Sequence, residues 1–176
     1  MRVLTVASLV VAMFAGVANA QQTPPPPPTP FDAIPEKMPA AEPYGAPISA
    51  QRAQAAIQAA MAEATKRGWP LNIAVFDSGA NLVAFVRMDG ALLGSIAVSQ
   101  HKARAAVKFR RPTKVFETLI QYQDNKILGT IDDVIASRGG IPLIEDGKII
   151  GAIGCSGGTG SQDEVVCQAG AATINK

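Results

Sequence analysis

A run of five consecutive prolines, Pro24–Pro28, restricts the fold of this chain more than any other feature. Proline has a fixed φ and no backbone N–H, so such a run extends as polyproline II and joins neither helix nor sheet. Most of the chain's 13 prolines lie within residues 21–47. We interpret residues 21–47 as a stiff linker, with a ligand for a proline-recognising module as the alternative. The folded domain is then expected at residues 48–176.

Residues 1–20 have the pattern of a secretory signal peptide. Arg2 forms a short basic region, residues 3–17 are mostly apolar, and Ala18-Asn19-Ala20 matches a small-x-small cleavage site. A membrane anchor is the alternative, but a span needs about 20 apolar residues. The sequence therefore predicts cleavage after Ala20, a periplasmic or secreted protein, and no membrane span after cleavage.

Charge and cysteine content narrow the class of protein. The 16 basic and 14 acidic side chains nearly balance, whereas nucleic-acid binders carry a clustered basic surplus, so we expect no nucleic-acid partner. The chain has two cysteines, Cys155 and Cys167. In an oxidising compartment such a pair favours a disulfide, with two buried thiols as the alternative.

The hydrophobic pattern of residues 48–176 predicts the order helix, hairpin, two helices, hairpin, helix. Ser49 and Gly68 are expected to cap the first helix. Thr113 is expected to cap the third helix, and residues 161–164 to form a capping box for the last. The small residues within 151–154 indicate that a helix or another backbone segment approaches the sheet closely there. This order favours an antiparallel sheet covered by helices, a mixed α/β (α+β) fold.

Six short motifs occur in an order that is typical of one family. They are residues 73–79 (IAVFDSG), 87–91 (RMDGA), 102–103 (KA), 112–113 (PT), 139–142 (GGIP) and 151–158 (GAIGCSGG). Together with Asp163 and Ala169-Gly170, they resemble the GlcG/HbpS family of haem-binding proteins, also called DUF336 or the PduO C-terminal-like domain. The resemblance covers residues 48–176.

The resemblance implies a five-stranded antiparallel sheet flanked by helices, in a profilin-like layer arrangement. It also implies homo-oligomers, haem as a cofactor and, in one secreted branch, a role in sensing haem or redox stress. One departure is that members often have Val-Ser-Gly where this chain has Cys155-Ser156-Gly157.

His101 is the only histidine and so the only imidazole available to ligate haem iron. At 100° per residue, it lies opposite the apolar face of its helix, so we expect it to face solvent or another subunit. Nearby residues that could contact haem, the cations through its propionates, are Lys102, Arg104, Lys108, Arg110, Arg111 and Thr113. Weaker candidate ligands are Tyr122, Met88 and Met61. The alternative is a solvated helix face with an incidental histidine.

A second candidate site uses a different set of residues. Arg87, Asp89 and Asp77 lie at the ends of the first hairpin, and the backbone N–H groups of a glycine loop could bind a carboxylate beside them. The set is Arg87, Asp89, Gly157, Gly158 and Asp163. In the alternative interpretation, Arg87 and Asp89 pair to fix the turn.

The sequence gives little support to an enzyme. Ser156 lies in a Gly-x-Ser-x-Gly match, but the only histidine precedes it, against the order of the α/β-hydrolases, so no catalytic residue is predicted. We therefore expect an exported haem-binding protein for haem buffering or sensing. A small organic-acid binding protein or enzyme is the alternative.

Overall fold

A computed structural model of the protein describes residues 41–175. The predicted signal peptide and most of the predicted linker lie outside these residues. The helices are α1 (Ala50–Arg67), α2 (Gly94–Lys108), α3 (Lys114–Tyr122) and α4 (Gly160–Ala171), with a 3₁₀ helix at Lys126–Thr130. The strands are β1 (Asn72–Asp77), β2 (Leu82–Arg87), β3 (Gly140–Glu145) and β4 (Lys148–Ser156). This is the predicted order of elements.

The strands form one antiparallel sheet in the order β2-β1-β4-β3. The expectation of five strands is wrong, because the sheet in the described part of the chain has four. The segment before α1 meets the sheet at an isolated parallel bridge between Tyr44 and Ile149, and at a bond from the Ile48 amide to the Ile150 carbonyl. Pro43 and Pro47 flank this bridge and cannot donate the hydrogen bonds of a longer ladder. Residues 43–45, which the sequence assigned to the linker, are thus bonded to β4.

Helices cover both faces of the sheet. Successive side chains of β1 point to opposite faces, so Ile73 and Val75 pack with α1 and α4, whereas Ala74 and Phe76 pack under α2. Because both faces of β1 are covered, the strand reads as a continuous apolar run rather than as an alternating pattern. The mixed fold expected from the sequence is confirmed.

Small residues in β4 let α2 lie directly on the sheet, as predicted. A Cβ at Gly154 would lie 2.2 Å from the carbonyl oxygen of Ser99 and 2.5 Å from the amide nitrogen of Ala103, both in α2. No side chain fits between the two backbones at this point. The inner face of α2 is therefore fixed on the sheet, and its other side forms the outer face of this layer.

The helix caps agree with the sequence fully for α1 and only in part for the later helices. The Ser49 hydroxyl accepts from the Arg52 amide, and Gly68 ends α1 with φ 68°. Thr113 is the N-cap residue of α3, as predicted, but its side chain does not cap the helix, because its buried hydroxyl accepts a 2.9 Å bond from the Gly140 amide instead. The capping box of α4 is formed by Thr159 and Gln162, not by residues 161–164, because the helix already begins at Gly160.

Within residues 41–175, no helix has the length and apolar character needed to cross a bilayer.

Candidate functional site

Three residues form a stripe along the outer side of α2. His101, Arg104 and Lys108 are spaced i, i+3 and i+7, so they lie on one helix face, as the sequence predicted. The carboxylate of Asp133 lies against this stripe: it accepts a hydrogen bond from the Lys108 ammonium and lies 3.9 Å from a guanidinium nitrogen of Arg104. The α2 stripe is therefore a cationic surface that already holds one carboxylate.

His101 is half-buried, and its Nε2 is fully buried without a hydrogen-bond partner among residues 41–175. The sequence predicted that this imidazole faces solvent or another subunit; within the described chain it lies beside Asp133, whose pKa its charge helps to lower. Leaving a buried polar nitrogen unbonded costs about 1–3 kcal/mol. Within the described residues, Nε2 of His101 is therefore available to bind a ligand.

Asp133 is held ionised by its surroundings. The hydrogen bond from Lys108, followed by the charges of Lys108, Arg104 and His101, keeps the pKa of the Asp133 carboxyl below its ordinary value, against the opposing effect of burial. Its backbone is also constrained. Asp133 has φ 66° and is the third residue of a turn closed by a 3.2 Å bond from the Val134 amide to the Ile131 carbonyl.

The segment that carries Asp133 is anchored at its C-terminal end by a clamp on α3. Glu117 accepts bonds from the Arg138 amide at 2.7 Å and from the Arg138 Nε at 2.6 Å. Burial raises the pKa of Glu117, but the hydrogen bonds and charge of Arg138 together lower it by more than that. The pKa of Glu117 therefore lies below the ordinary value. Between these anchors no residue from 118 to 137 is fully buried. The segment therefore contributes little to the core.

Lys102 does not belong to the surface cations, and this prediction is wrong. Its ammonium is buried and lies 2.6 Å from a carboxylate oxygen of Asp163 and 3.2 Å from the Cys155 carbonyl oxygen. The helical wheel places Lys102 only 100° from His101, which is enough to turn it toward the core. It cannot contact a ligand at the α2 stripe.

The other predicted haem contacts are occupied elsewhere. The Arg110 guanidinium lies over the Tyr44 ring, 5.6 Å from its centroid. Arg111 donates through Nε to the Phe109 carbonyl at 3.0 Å. Thr113, just before α3, is fully buried against Gly140 at the start of β3. The structure thus brings only Arg104 and Lys108 together with His101.

The weaker candidate ligands do not join the stripe in any contact of the structure. Met61 and Met88 are partly buried and pack against the core on the α1 side of the sheet. Tyr122 is 72% exposed at the end of α3. Among these three residues, only Tyr122 is free of core packing.

The second candidate site is brought together only in part. Asn72 pairs with Arg87 on one side and with Ser156 on the other, so the hairpin end and the glycine loop share one end of the sheet. Arg87 and Asp89 are exposed there and do not pair with each other in the described chain. Asp77 lies at the opposite end of β1, where its carboxylate accepts from the Gly79 and Asn81 amides.

Asp163 and the glycine loop are occupied by each other. One Asp163 oxygen accepts a 3.0 Å bond from the Gly158 amide, and the other pairs with Lys102 in the interior. Beside them, the Thr159 amide donates to the Gln162 side chain. The donors that the sequence assigned to a bound carboxylate are therefore used within the protein. The placement of Asp163 in this site is wrong for the same reason.

Sequence reasoning missed Asp133 and the Glu117–Arg138 clamp. The available signal was the acidic pair Asp132-Asp133, which lies C-terminal to the basic helix α2 with α3 between them. It also missed Asn72, whose Nδ2 donates to the Leu92 carbonyl at 2.9 Å while its buried Oδ1 has no partner within residues 41–175.

The predicted disulfide is present. Cys155 in β4 and Cys167 in α4 are joined, with their Cα atoms 5.6 Å apart. Both cysteines are fully buried, so the bond ties α4 to the centre of the sheet.

The sequence of this chain is similar to known proteins of one family. The sequence profile described as "Haem degrading protein HbpS-like" matches residues 48–172. Protein GlcG of Escherichia coli K12 is 41% identical over 109 residues, which are 62% of this chain and 81% of that protein.

Two solved structures share the fold. A double mutant of Streptomyces reticuli HbpS is 29% identical with a TM-score of 0.67, covering 81% of this chain and 100% of that one. A structure described as a PduOC:Heme complex is 27% identical with a TM-score of 0.68, covering 73% of this chain and 96% of that one. The profile match over most of the folded domain shows that the chain belongs to the HbpS-like family.

Proposed function

We propose that this protein is exported and binds haem, with His101 as a ligand to the iron. The family description names haem, and one structural neighbour is a complex with heme. Within this chain, one observation carries the proposal: Nε2 of His101 is buried and has no hydrogen-bond partner in the described residues. An imidazole nitrogen is a common axial ligand of haem iron, and coordination would give this atom the partner it lacks.

The charges around His101 suit the same ligand. Arg104 and Lys108 lie one and two turns further along the same helix face, within reach of the carboxylates of a macrocycle at His101. A guanidinium binds a carboxylate with two parallel hydrogen bonds, and an ammonium binds it as a point charge. When bound, haem supplies the iron centre and its redox chemistry, whereas these residues bind and orient it.

Asp133 lies close to His101 and holds the cations beside it, so we infer that haem binding at this imidazole moves the segment around Asp133. Because no residue from 118 to 137 is fully buried, this movement exposes little of the core. The Glu117–Arg138 clamp can hold the end of the segment while its middle moves.

Export is supported by the disulfide. Such bonds persist in oxidising compartments and are rare in the cytosol, which agrees with a signal peptide at residues 1–20. The mature protein would then act in the periplasm or beyond it, in haem buffering or in haem or redox sensing. Mass spectrometry of the exported protein should give a chain that begins at Gln21 with no free thiol.

Haem titration of the exported protein without an affinity tag tests the proposed ligand. We expect a Soret band that saturates at one haem per chain and is lost in His101→Ala, while circular dichroism shows that the variant remains folded. Tyr122→Phe is the matched control, because it removes the exposed alternative ligand and should leave the band unchanged. An unaltered Soret band in His101→Ala would contradict the assignment.

The same samples distinguish storage from turnover. The family description includes haem degradation, so the Soret band is followed for hours with and without an added reductant under air. A stable band indicates binding alone. A loss that needs both protein and reductant indicates breakdown of the bound haem.

A further inference from the structure

We propose that Asp133 occupies, in the ligand-free protein, the position that a haem propionate takes on the α2 stripe, so that haem binds by displacing this side chain. The inference rests on the proposed function and adds a residue that sets the affinity of the same site.

The first argument is the identity of the competing groups. Asp133 presents one carboxylate to Lys108 and Arg104, and its pKa is lowered by both and by His101. A haem propionate presents the same functional group to the same cations. Since the stripe has only these two strongly basic side chains, it cannot pair fully with Asp133 and a propionate together.

The second argument is that Asp133 is held in a constrained conformation. Its φ of 66° lies in the left-handed region, which costs a residue other than glycine free energy, although aspartate and asparagine tolerate it better than most. The turn aims the carboxylate at α2, and the ion pairs with the stripe offset the strain. Once a propionate pairs with Arg104 and Lys108, no ion pair offsets the strain of the turn, and Asp133 can move away from α2.

The third argument is that the displacement is reversible at low cost. The Asp133 side chain is 22% exposed, and those of Arg104 and Lys108 are 36% and 46% exposed. Partly exposed ion pairs of this kind are individually weak. Haem then binds only the molecules in which Asp133 has left the α2 stripe. The apparent haem affinity is the intrinsic affinity multiplied by the fraction of such molecules, so Asp133 weakens binding without abolishing it.

Asp133→Asn tests the competition directly. Asparagine tolerates the left-handed conformation as aspartate does, so this variant removes the charge without adding backbone strain. We expect haem to bind about tenfold more tightly to Asp133→Asn than to the unmodified protein, as loss of weak ion pairs predicts. The exposed neighbour Asp132 provides the matched control: Asp132→Asn should leave the affinity within about twofold, because it removes the same charge outside these ion pairs.

A double-variant cycle identifies the cations as the shared partners. Arg104→Gln should weaken haem binding in the unmodified protein. The gain from Asp133→Asn should shrink to about threefold or less in the Arg104→Gln background, because one of the contested partners is already gone. An undiminished tenfold gain would mean that Asp133 acts through something other than the stripe, and would overturn the proposal.

A readout without haem separates this inference from the proposed function. The chain has one histidine, so carbethoxylation by diethyl pyrocarbonate, followed by the ultraviolet absorption of the carbethoxylated imidazole, reports on His101 alone. We expect Asp133→Asn to react severalfold faster than the unmodified protein, and Asp132→Asn to react at the unmodified rate.

The outcomes are distinct. Tighter haem binding together with faster carbethoxylation in Asp133→Asn supports the displacement. Haem binding by the unmodified protein with no change in Asp133→Asn overturns the displacement and leaves the proposed function intact. If none of the proteins binds haem, both proposals fail, and a faster carbethoxylation then shows only that Asp133 covers His101.

Discussion

The ammonium of Lys102 lies 2.6 Å from a carboxylate oxygen of Asp163, and both side chains are almost completely buried. Lys102 also donates to the Cys155 carbonyl, and Asp163 also accepts from the Gly158 amide. The pair thus joins α2, the end of β4 and the start of α4. Burial raises the pKa of Asp163, against the opposing charge and hydrogen bond of Lys102.

Removing one partner of this pair should be strongly destabilising. Lys102→Met keeps most of the side-chain volume but leaves the Asp163 carboxylate buried without its cation. We expect the free energy of unfolding to fall by about 3–5 kcal/mol in urea denaturation at pH 7. Lys114→Met is the control, because Lys114 pairs with Glu164 at 3.4 Å with about half of its side chain exposed. It should cost less than about 1 kcal/mol. Similar losses in the two variants would contradict a structural role for the buried pair.

The close contact of α2 with β4 gives a second prediction. Gly154→Ala adds a methyl group at a point 2.2 Å from the Ser99 carbonyl oxygen, so the helix must shift. We expect a loss of about 3 kcal/mol in thermal or urea unfolding, at the upper end of the usual cost of overpacking. Gly94→Ala, at the start of the same helix, is the matched control, since nothing lies within 4 Å of its added methyl group. A Gly154→Ala variant as stable as Gly94→Ala would show that α2 does not rest on this strand as described.

The order of helices and strands could be predicted from local sequence alone. Hairpin turns at Asp77–Gly79 and Asp146–Gly147, the caps at Ser49 and Gly68, and the small residues of β4 all act over a few residues. Their positions in the structure follow these signals closely. The number of strands was less secure, because five strands came from the family resemblance and not from any pattern in residues 41–47.

The candidate site was less predictable because its contacts are long-range. A helical wheel separates the two faces of α2, but it cannot show that Lys102 meets Asp163, which is 61 residues away. Asp133 lies in a segment without periodicity, so no local rule places it against Lys108. Homo-oligomer formation also depends on surfaces that one chain does not reveal, and it stays a prediction.

The clamp between Glu117 and Arg138 should make stability depend on pH. The pKa of Glu117 in the folded state is below its ordinary value of 4.5, so the folded state favours the ionised carboxylate. Its contribution is therefore complete above the unfolded-state pKa and is lost as the pH falls through the lower folded-state pKa. We expect Glu117→Gln to cost about 1–3 kcal/mol at pH 7, with the difference from the unmodified protein shrinking below about pH 4.5.

Urea denaturation of both proteins between pH 3 and pH 7 measures this difference. Asp124→Asn is the control, because its pair with Lys126 is about 80% exposed and should contribute little at any pH. If the loss in free energy of unfolding for Glu117→Gln stays constant down to pH 3, then the packing of the side chain, and not its charge, stabilises the clamp.

The disulfide should contribute a large part of the stability of this domain. Joining Cys155 and Cys167 closes a short loop, for which the chain-entropy model gives about 3 kcal/mol. Because α4 carries both Cys167 and Asp163, it is held to β4 by a covalent bond and to α2 by the buried ion pair. We expect the free energy of unfolding of Cys155→Ala/Cys167→Ala, measured by urea denaturation, to be lower by about this amount. The reduced protein should lose a similar free energy. Since these two links share α4, combining the cysteine variant with Lys102→Met should cost less than the sum of the separate losses. Strictly additive losses would show instead that the disulfide and the ion pair hold α4 independently.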